Sequence, residues 1–238
     1  MKYIYGPVKS RRLGYSLGIS TVVYKVCSFN CVYCQLRETS QKTLRRRKYV
    51  PVEDILGELR SFFGHKPRGL KVDCVTFSGS GEPTLHQDIG VLIRSVKALT
   101  KRPVVLITNS STLAHVMVRR EILAADIVVP SLDAVTQGVF EKIDRPVRGL
   151  KIKNIIDALK KFRKEFKGQI WLEIMLVRGV NDSSVYLQKM KRVVDAIGPD
   201  RVQLNSPVRP PAESWAKPVT AKTLCAAKAL FGKHCDVI

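Results

Sequence analysis

Short apolar runs rich in β-branched residues alternate along this chain with longer stretches whose apolar positions recur every three to four residues. That alternation predicts successive β-α units around a parallel sheet. The expected strands are Gly18 to Tyr24, Val72 to Phe77, Pro103 to Ile107, Ile127 to Val129, Ile170 to Val177 and Val202 to Leu204, six in all. Between them, Val52, Ile55, Leu56, Leu59, Phe62 and Phe63 share one helical face, as do Ile89, Leu92, Ile93 and Val96 in the next helix. Ile152, Ile155, Ile156, Leu159 and Phe162 repeat the pattern, followed by Leu187, Met190, Val194 and Ile197, and further helices are expected near Met117 to Leu123 and Ala221 to Phe231. Six right-handed β-α units curve into a partial (β/α)6 TIM-type barrel. A length of 238 residues, with no internal repeat or long linker, fits one domain: a lead-in with the first strand over 1–26, a barrel core over 27–205 and a C-terminal extension over 206–238.

In such a barrel, functional groups collect in the loops after the C-terminal ends of the strands. A polar or glycine-rich group follows every expected strand: Cys27 to Cys34, Ser78 to Glu82, Thr108 with Asn109, Ser131 with Asp133, Arg178 with Asn181, and Asn205. Within the fifth strand, Ile170, Leu172, Ile174 and Leu176 form one apolar face, so Trp171, Glu173 and Met175 take the other. If the apolar face meets the helices, Glu173 points into the lumen, either toward a ligand or into an ion pair with a lumen cation. The same alternation makes Gln203 and Asn205 lumen groups.

Cys27, Cys31 and Cys34 stand at C-x3-C-x2-C spacing. Three thiolates here can hold three irons of a four-iron cluster, and the missing fourth leaves one iron open to another ligand. A structural zinc site would need a second Cys or His pair, and none follows at suitable spacing. A disulfide framework is disfavoured in a long chain without a signal peptide. Thr76 to Thr84 then leaves a strand through a glycine-rich turn, in which the glycines allow close backbone approach and Glu82 can accept from a cationic amine. His86 is read as satisfying helix-start groups, Cys74 as a small buried thiol, and Cys225 with Cys235 as ordinary surface or core cysteines.

The cysteine spacing, with Tyr33 before the last thiol, resembles the signature of the radical S-adenosylmethionine (radical SAM) superfamily. The turn Gly79-Ser80-Gly81-Glu82 resembles its glycine-glycine-glutamate motif, with Ser80 where glycine is usual. The resemblance implies a 4Fe-4S cluster on Cys27, Cys31 and Cys34, and S-adenosylmethionine on the open iron, cleaved reductively to a 5'-deoxyadenosyl radical that abstracts hydrogen. It implies cofactor contacts from Gly79, Ser80, Gly81 and Glu82 to the methionine amine, and from Asn109, Ser131 and Asp133 to the methionine moiety and ribose. The other reading of Asp133 is a helix N-cap. By the same resemblance, the backbone of Leu176 to Asp182, Asn181 included, borders adenine, and Arg178 pairs with the methionine carboxylate.

Tyr5-Gly6-Pro7-Val8, Ser10 to Gly14, Pro130 to Asp133, Gln203 to Asn205 and Arg209 to Glu213 are similar to the branch containing the wyosine synthases of tRNA. This chain departs from them in having no cysteine in Met1 to Val26 for a second cluster, so its reaction is not assumed to be wyosine formation. The chain carries 41 Lys plus Arg against 20 Asp plus Glu, a net charge of +21 that favours an anionic partner such as tRNA or another RNA. The run Arg45-Arg46-Arg47-Lys48 is a candidate phosphate contact or a solvated loop, and the lysines of Lys151 to Lys167 fit a solvated helix face. A reducing ferredoxin or flavodoxin is the expected electron donor. The polar, basic start and the lack of a membrane-length apolar run point to a soluble cytoplasmic protein. Two other functions stay open: an activase that places a glycyl radical on a partner protein, and a non-catalytic iron-sulfur or RNA-binding protein.

Overall fold

A computed structural model describes all residues from Met1 to Ile238. In chain order the elements are β1 (Ile4–Ser10), β2 (Gly14–Ile19), β3 (Val26–Cys27), β4 (Gln41–Lys42), α1 (Val52–His65), β5 (Cys74–Phe77), α2 (Ile89–Thr100), β6 (Val104–Thr108), α3 (Val116–Glu121), β7 (Ile127–Pro130), α4 (Gln137–Ile143), α5 (Ile152–Glu165), β8 (Gln169–Met175), α6 (Ser184–Ile197), β9 (Arg201–Asn205), α7 (Ala221–Phe231) and β10 (Cys235–Val237). One eight-stranded sheet runs β1-β2-β5-β6-β7-β8-β9-β10, and β3 with β4 forms a separate two-stranded ribbon. Only β1 is antiparallel to its neighbour in the large sheet; the strands from β2 to β10 pair in parallel. β1 and β10 end the sheet without pairing, so it is a partial barrel with an open seam.

The expected strands after the first are present with ends shifted by a few residues, and the sheet gains β1 and β10 at its margins. The first strand is corrected from Gly18–Tyr24 to Gly14–Ile19. The apolar run after it is a loop, in which Val22 packs with Val26 and Leu85 while Tyr24 stays exposed. β10 comes from the segment expected to be an extension, and pairs Cys235 with Val202.

Helical periodicity translates into burial as expected. Ile55, Leu56 and Leu59 of α1, Ile89, Leu92, Ile93 and Val96 of α2, and Ile152, Ile155, Leu159 and Phe162 of α5 lie in one continuous core. In α5, Lys153, Lys161 and Lys164 are exposed and Lys160 is half-buried, so part of the positive charge is a solvated helix face. β8 alternates as the sequence predicts: Ile170, Leu172 and Ile174 are buried toward the helices, and Trp171, Glu173 and Met175 take the lumen side. No helix is long and apolar enough to cross a membrane.

His86 serves the start of α2. Its Nδ1 accepts from the Asp88 N–H at 3.1 Å, which leaves Nε2–H to donate to the Val50 carbonyl at 2.8 Å, so the bonded ring is neutral. Burial accordingly holds its pKa below the ordinary 6.5. The unfolded chain takes up a proton at a higher pH than the folded one does. Stability is therefore expected to be full above about pH 6.5 and to fall as pH drops from there toward the lowered native value. Denaturation midpoints across that window should decline less in His86→Gln than in the parent.

Candidate active site

The loops after β2, β5, β6, β7, β8 and β9 meet at one end of the sheet, and the cysteine loop lies across them. Its entry is bonded to the glycine turn: Lys25 N–H donates to Ser80 O at 2.6 Å, and Glu82 N–H donates to Val26 O at 3.1 Å. Its far side is bonded to the end of α4, with Asn30 N–H donating to Asp144 O at 3.0 Å and Val32 N–H to Ile143 O at 2.9 Å. Phe29 anchors the middle, edge-on to Phe140 at 5.3 Å between ring centroids. The three cysteines are therefore carried on a backbone fixed at both ends, the kind of support a preorganised site needs.

Cys27, Cys31 and Cys34 are half-buried free thiols. Asn109 Nδ2 donates to Cys27 Sγ at 3.4 Å, and the Lys25 ammonium donates to Cys34 Sγ at 3.2 Å. Cys31 Sγ donates to Asp144 Oδ1 at 3.5 Å. Burial pushes the Cys27 thiol up to about 11, with Glu82 adding to the shift, and burial followed by Asp144 pushes Cys31 well above its ordinary value. Such thiols stay protonated at neutral pH unless a metal displaces the proton. Cys34 adds to the upward shift of both Cys27 and Cys31, and Cys27 to that of Cys31, so the three thiols stand near one another. No set of three or more His, Cys, Asp or Glu side chains is placed to hold a single ion. Three half-buried thiols on one fixed loop, two of them receiving hydrogen bonds from neutral or cationic donors, fit the three protein ligands of a four-iron cluster.

Lys25 escaped the sequence reading. It is 3% exposed, its backbone is left-handed at φ 58°, and its ammonium has no hydrogen-bond acceptor other than Cys34. A buried ammonium requires an anionic partner, and the Cys34 sulfur, which would be a thiolate if it held a metal, is the acceptor within reach. Lys25→Met keeps the length of the side chain and removes the charge. It is expected to lower the iron retained per chain after reconstitution by roughly tenfold, as the loss of a group supporting a metal ligand typically does, while Lys25→Arg retains more.

The other expected contacts divide into groups that reach the site and groups that hold it together. Ser78 and Gly79 line the main cleft; Gly79 has φ +104°. Ser80 is tied to Lys25 and Ser20, and Gly81 packs against the Val26 backbone rather than facing the cleft. Glu82 lies inside the protein and is not part of the cleft lining. It is 2% exposed, its Oε1 accepts from Thr84 N, Thr84 Oγ1 and Thr108 Oγ1, and its Oε2 accepts from Asn109 N at 2.7 Å. Burial raises its pKa against these four bonds. It clamps the glycine turn to the loop after β6, and Oε2 keeps one acceptor position beyond its bond from Asn109 N.

Asn109 lies between this clamp and the cysteines, donating to Ser28 Oγ at 2.9 Å as well as to Cys27. It shares a cavity of about 10 Å³, room for one water, with Ser131, Asp133, Tyr33 and Asp144. Asp133 is no helix cap, since the N-cap position of α4 falls at Thr136; its carboxylate accepts from the Tyr33 hydroxyl and, at 2.7 Å, from Met175 N. Burial lifts its pKa to about 6. Asn181 is fully buried, accepting from Val177 N at 2.8 Å and donating to the carbonyls of Asp133 and Met175. It staples the loop after β8 shut. Arg178 is exposed and its side chain makes no hydrogen bond or ion pair, and it lies outside the cleft lining. The structure does not bring it to the site, so the carboxylate pairing expected of it has no support.

Beside Cys34 opens a cleft of about 560 Å³, bounded by β1, the β1–β2 turn and the segment after β9. Glu173 faces it with a lumen cation: Arg12 Nη1 reaches Glu173 Oε2 at 2.6 Å and Gln203 Oε1 at 2.8 Å, and Asn205 Nδ2 donates to Glu173 Oε1 at 3.2 Å. The ion-pair reading of Glu173 thus holds. Within the run Arg45 to Lys48, Arg46 is half-buried and structural, while Arg45, Arg47 and Lys48 stay exposed. Arg46 pairs with Glu121 and donates to Thr84 O and His86 O, Arg47 lies over Tyr49, and Lys48 pairs with Asp88 at 3.4 Å. Only the Arg45 side chain is left free.

A family profile described as the radical SAM superfamily matches residues 21–187. The chain is 39% identical over 99% of its length to a Brachyspira hyodysenteriae protein called GTPase Obg, of which it spans only 34%. It is 34% identical over 98% of its length to a UPF0026 protein of Methanocaldococcus jannaschii, spanning 72% of that protein. Among solved structures, a radical SAM methyltransferase from Sphaerobacter thermophilus superposes with TM-score 0.73 at 16% identity, covering 94% of this chain and 65% of that one. TYW1 with a lysine-pyruvate adduct bound superposes with TM-score 0.64 at 18% identity, covering 91% of this chain and 72% of that one. With the partial barrel, the three clustered thiols and the glycine turn bonded to them, this chain belongs to the radical SAM superfamily, whose enzymes use a 4Fe-4S cluster and S-adenosylmethionine.

Proposed function

We propose that this chain binds a 4Fe-4S cluster through Cys27, Cys31 and Cys34 and acts on a nucleoside-containing substrate, with tRNA the favoured class. The observation that carries this reading is the fixed cysteine loop, with donors from Asn109 and Lys25 directed at its sulfurs and a cleft opening beside Cys34. When bound, the cluster supplies the electron that cleaves S-adenosylmethionine to a 5'-deoxyadenosyl radical. The protein's part is placement. Ser78 and Gly79 offer backbone at the cleft wall, Asn109 and Ser131 offer polar groups at the mouth of β6 and β7, and the Glu82 clamp keeps these loops in register. A reduced ferredoxin or flavodoxin is the proposed source of the electron.

The net charge of +21 and the likeness to TYW1 support the RNA class. The test is anaerobic reconstitution followed by reduction with S-adenosylmethionine, with and without bulk tRNA. Deoxyadenosine that rises several-fold with tRNA supports the proposal. Deoxyadenosine that is formed but indifferent to tRNA removes the substrate class, and none in either arm removes the enzyme reading.

A further inference from the structure

We propose that the open seam of the barrel is a phosphate-recognition site for the substrate, built on Arg12. The proposal rests on the substrate-face reading above and specifies the chemistry of what enters. Arg12 sits on the turn between β1 and β2, where Ser10 Oγ accepts from the Arg12 and Leu13 N–H groups at 3.3 and 3.2 Å. Its side chain crosses the seam, and a single nitrogen, Nη1, makes both bonds to Glu173 and Gln203. Nε and Nη2 have no acceptor in the protein, yet neither is a buried unsatisfied atom, so they open onto the cleft. Glu173 and Gln203 thus hold a guanidinium in place with its remaining donors presented, the arrangement that suits bidentate binding of an oxyanion.

The rest of the lining has the same sign. Lys9, Arg11 and Arg209 border the cleft, and Glu173 is its only acidic side chain. That carboxylate is already occupied, one oxygen by Arg12 and the other by Asn205. The pair is internally neutral, so Lys9, Arg11 and Arg209 leave the cleft lining net positive even with the terminal carboxylate of Ile238 counted against them. Arg209 donates to Gln35, the residue after Cys34, at 2.5 Å, which puts this cation beside the cysteine loop. Tyr5, Tyr33, Ile107 and Met175 give the cleft an apolar wall. A volume of about 560 Å³ falls in the range of ordinary ligand pockets. A single latch between Arg12 and Glu173 would explain the ion pair but not the three further cations that line the same cleft, Lys9 and Arg11 toward the β1–β2 turn and Arg209 beyond β9. An organic phosphate explains both.

Two sources carry that chemistry, a free nucleotide and the backbone of an RNA. Isothermal titration calorimetry on the full chain without S-adenosylmethionine, using 5'-AMP, adenosine and a short RNA stem-loop, separates them. The assay needs no turnover, so its failure is distinguishable from failure of the SAM-cleavage reading. At least one phosphate-bearing probe is expected to bind at least tenfold more tightly than adenosine. The double variant Lys9→Gln/Arg11→Gln, confined to exposed positions, should weaken it by about tenfold and flatten its salt dependence. Arg12→Gln should weaken it further, with a thermal melt to confirm folding. Binding of AMP assigns the site to a free nucleotide, and binding of the stem-loop alone assigns it to RNA. The proposal is overturned if neither phosphate binds, if adenosine binds as well as AMP, or if the double variant binds like the parent.

Discussion

A Cys31→Ala chain is expected to fold and yet to lack the broad visible absorbance of an iron-sulfur protein after anaerobic reconstitution, with iron per chain reduced at least about tenfold. Folding should survive because the loop is anchored by backbone bonds from Asn30 and Val32 and by the buried Phe29 ring, none of which involves the Cys31 sulfur. Metal binding should not survive. Cys31 shares its surroundings with the other two thiols, and the groups beside it, Asp144 and Asp133, are carboxylates and not the thiolates such a cluster takes. Cys225→Ala is the matched control. Cys225 is exposed on α7, while Cys235 is buried in β10 and Cys74 is buried in β5 with Leu13 O as its partner at 3.6 Å. Those three are expected to contribute nothing to the absorbance. If Cys31→Ala kept its iron and Cys225→Ala lost it, the assignment of the metal site would be reversed.

The sequence reading succeeded where a residue's task is set by its neighbours in the chain, and failed where it is set by residues far away in it. The alternation in β8 follows from two-residue periodicity alone, and it placed Glu173 on the lumen side. The partner of Glu173 is 161 residues away on the β1–β2 turn, and nothing local marks Arg12 for that role. β1 was missed because most of Ile4–Ser10 is exposed and its sequence carries no clean alternation. β10 was missed because three residues give too little pattern to read. Glu82 and Asn181 sit in polar loops at the C-terminal end of the strands, and the hydrogen bonds of their side chains, which no local pattern shows, lie within the protein. Both are internal ties, to Thr84, Thr108 and Asn109 in one case and to Asp133, Met175 and Val177 in the other. Lys25 had one visible mark, a lone cation two positions before the first cysteine. Only burial turns that mark into evidence.

Gly81→Ala should be among the most damaging small substitutions in the chain. A methyl group there would meet Val26 O at 1.8 Å, Val26 C at 2.8 Å and Val22 Cγ2 at 2.9 Å. Gly81 is not in the left-handed region, so alanine meets no backbone penalty; the obstacle is space. Relief requires the Val26 carbonyl to move, which breaks its bond from Glu82 N and drags the adjacent Cys27. Overpacking of this kind costs roughly 1–3 kcal/mol, occasionally more. Gly57→Ala, in the middle of α1 with nothing within 4 Å, should instead stabilise by about 0.5–1 kcal/mol. Urea denaturation of both variants without cluster or S-adenosylmethionine decides why position 81 is glycine. A glycine kept only to let a cofactor approach would tolerate alanine in that assay and fail on binding. A glycine kept to seat the cysteine loop fails before any ligand is added. The distances favour the second, so the two motifs are expected to form one packed unit, and equal stability of Gly81→Ala and parent would show that they do not.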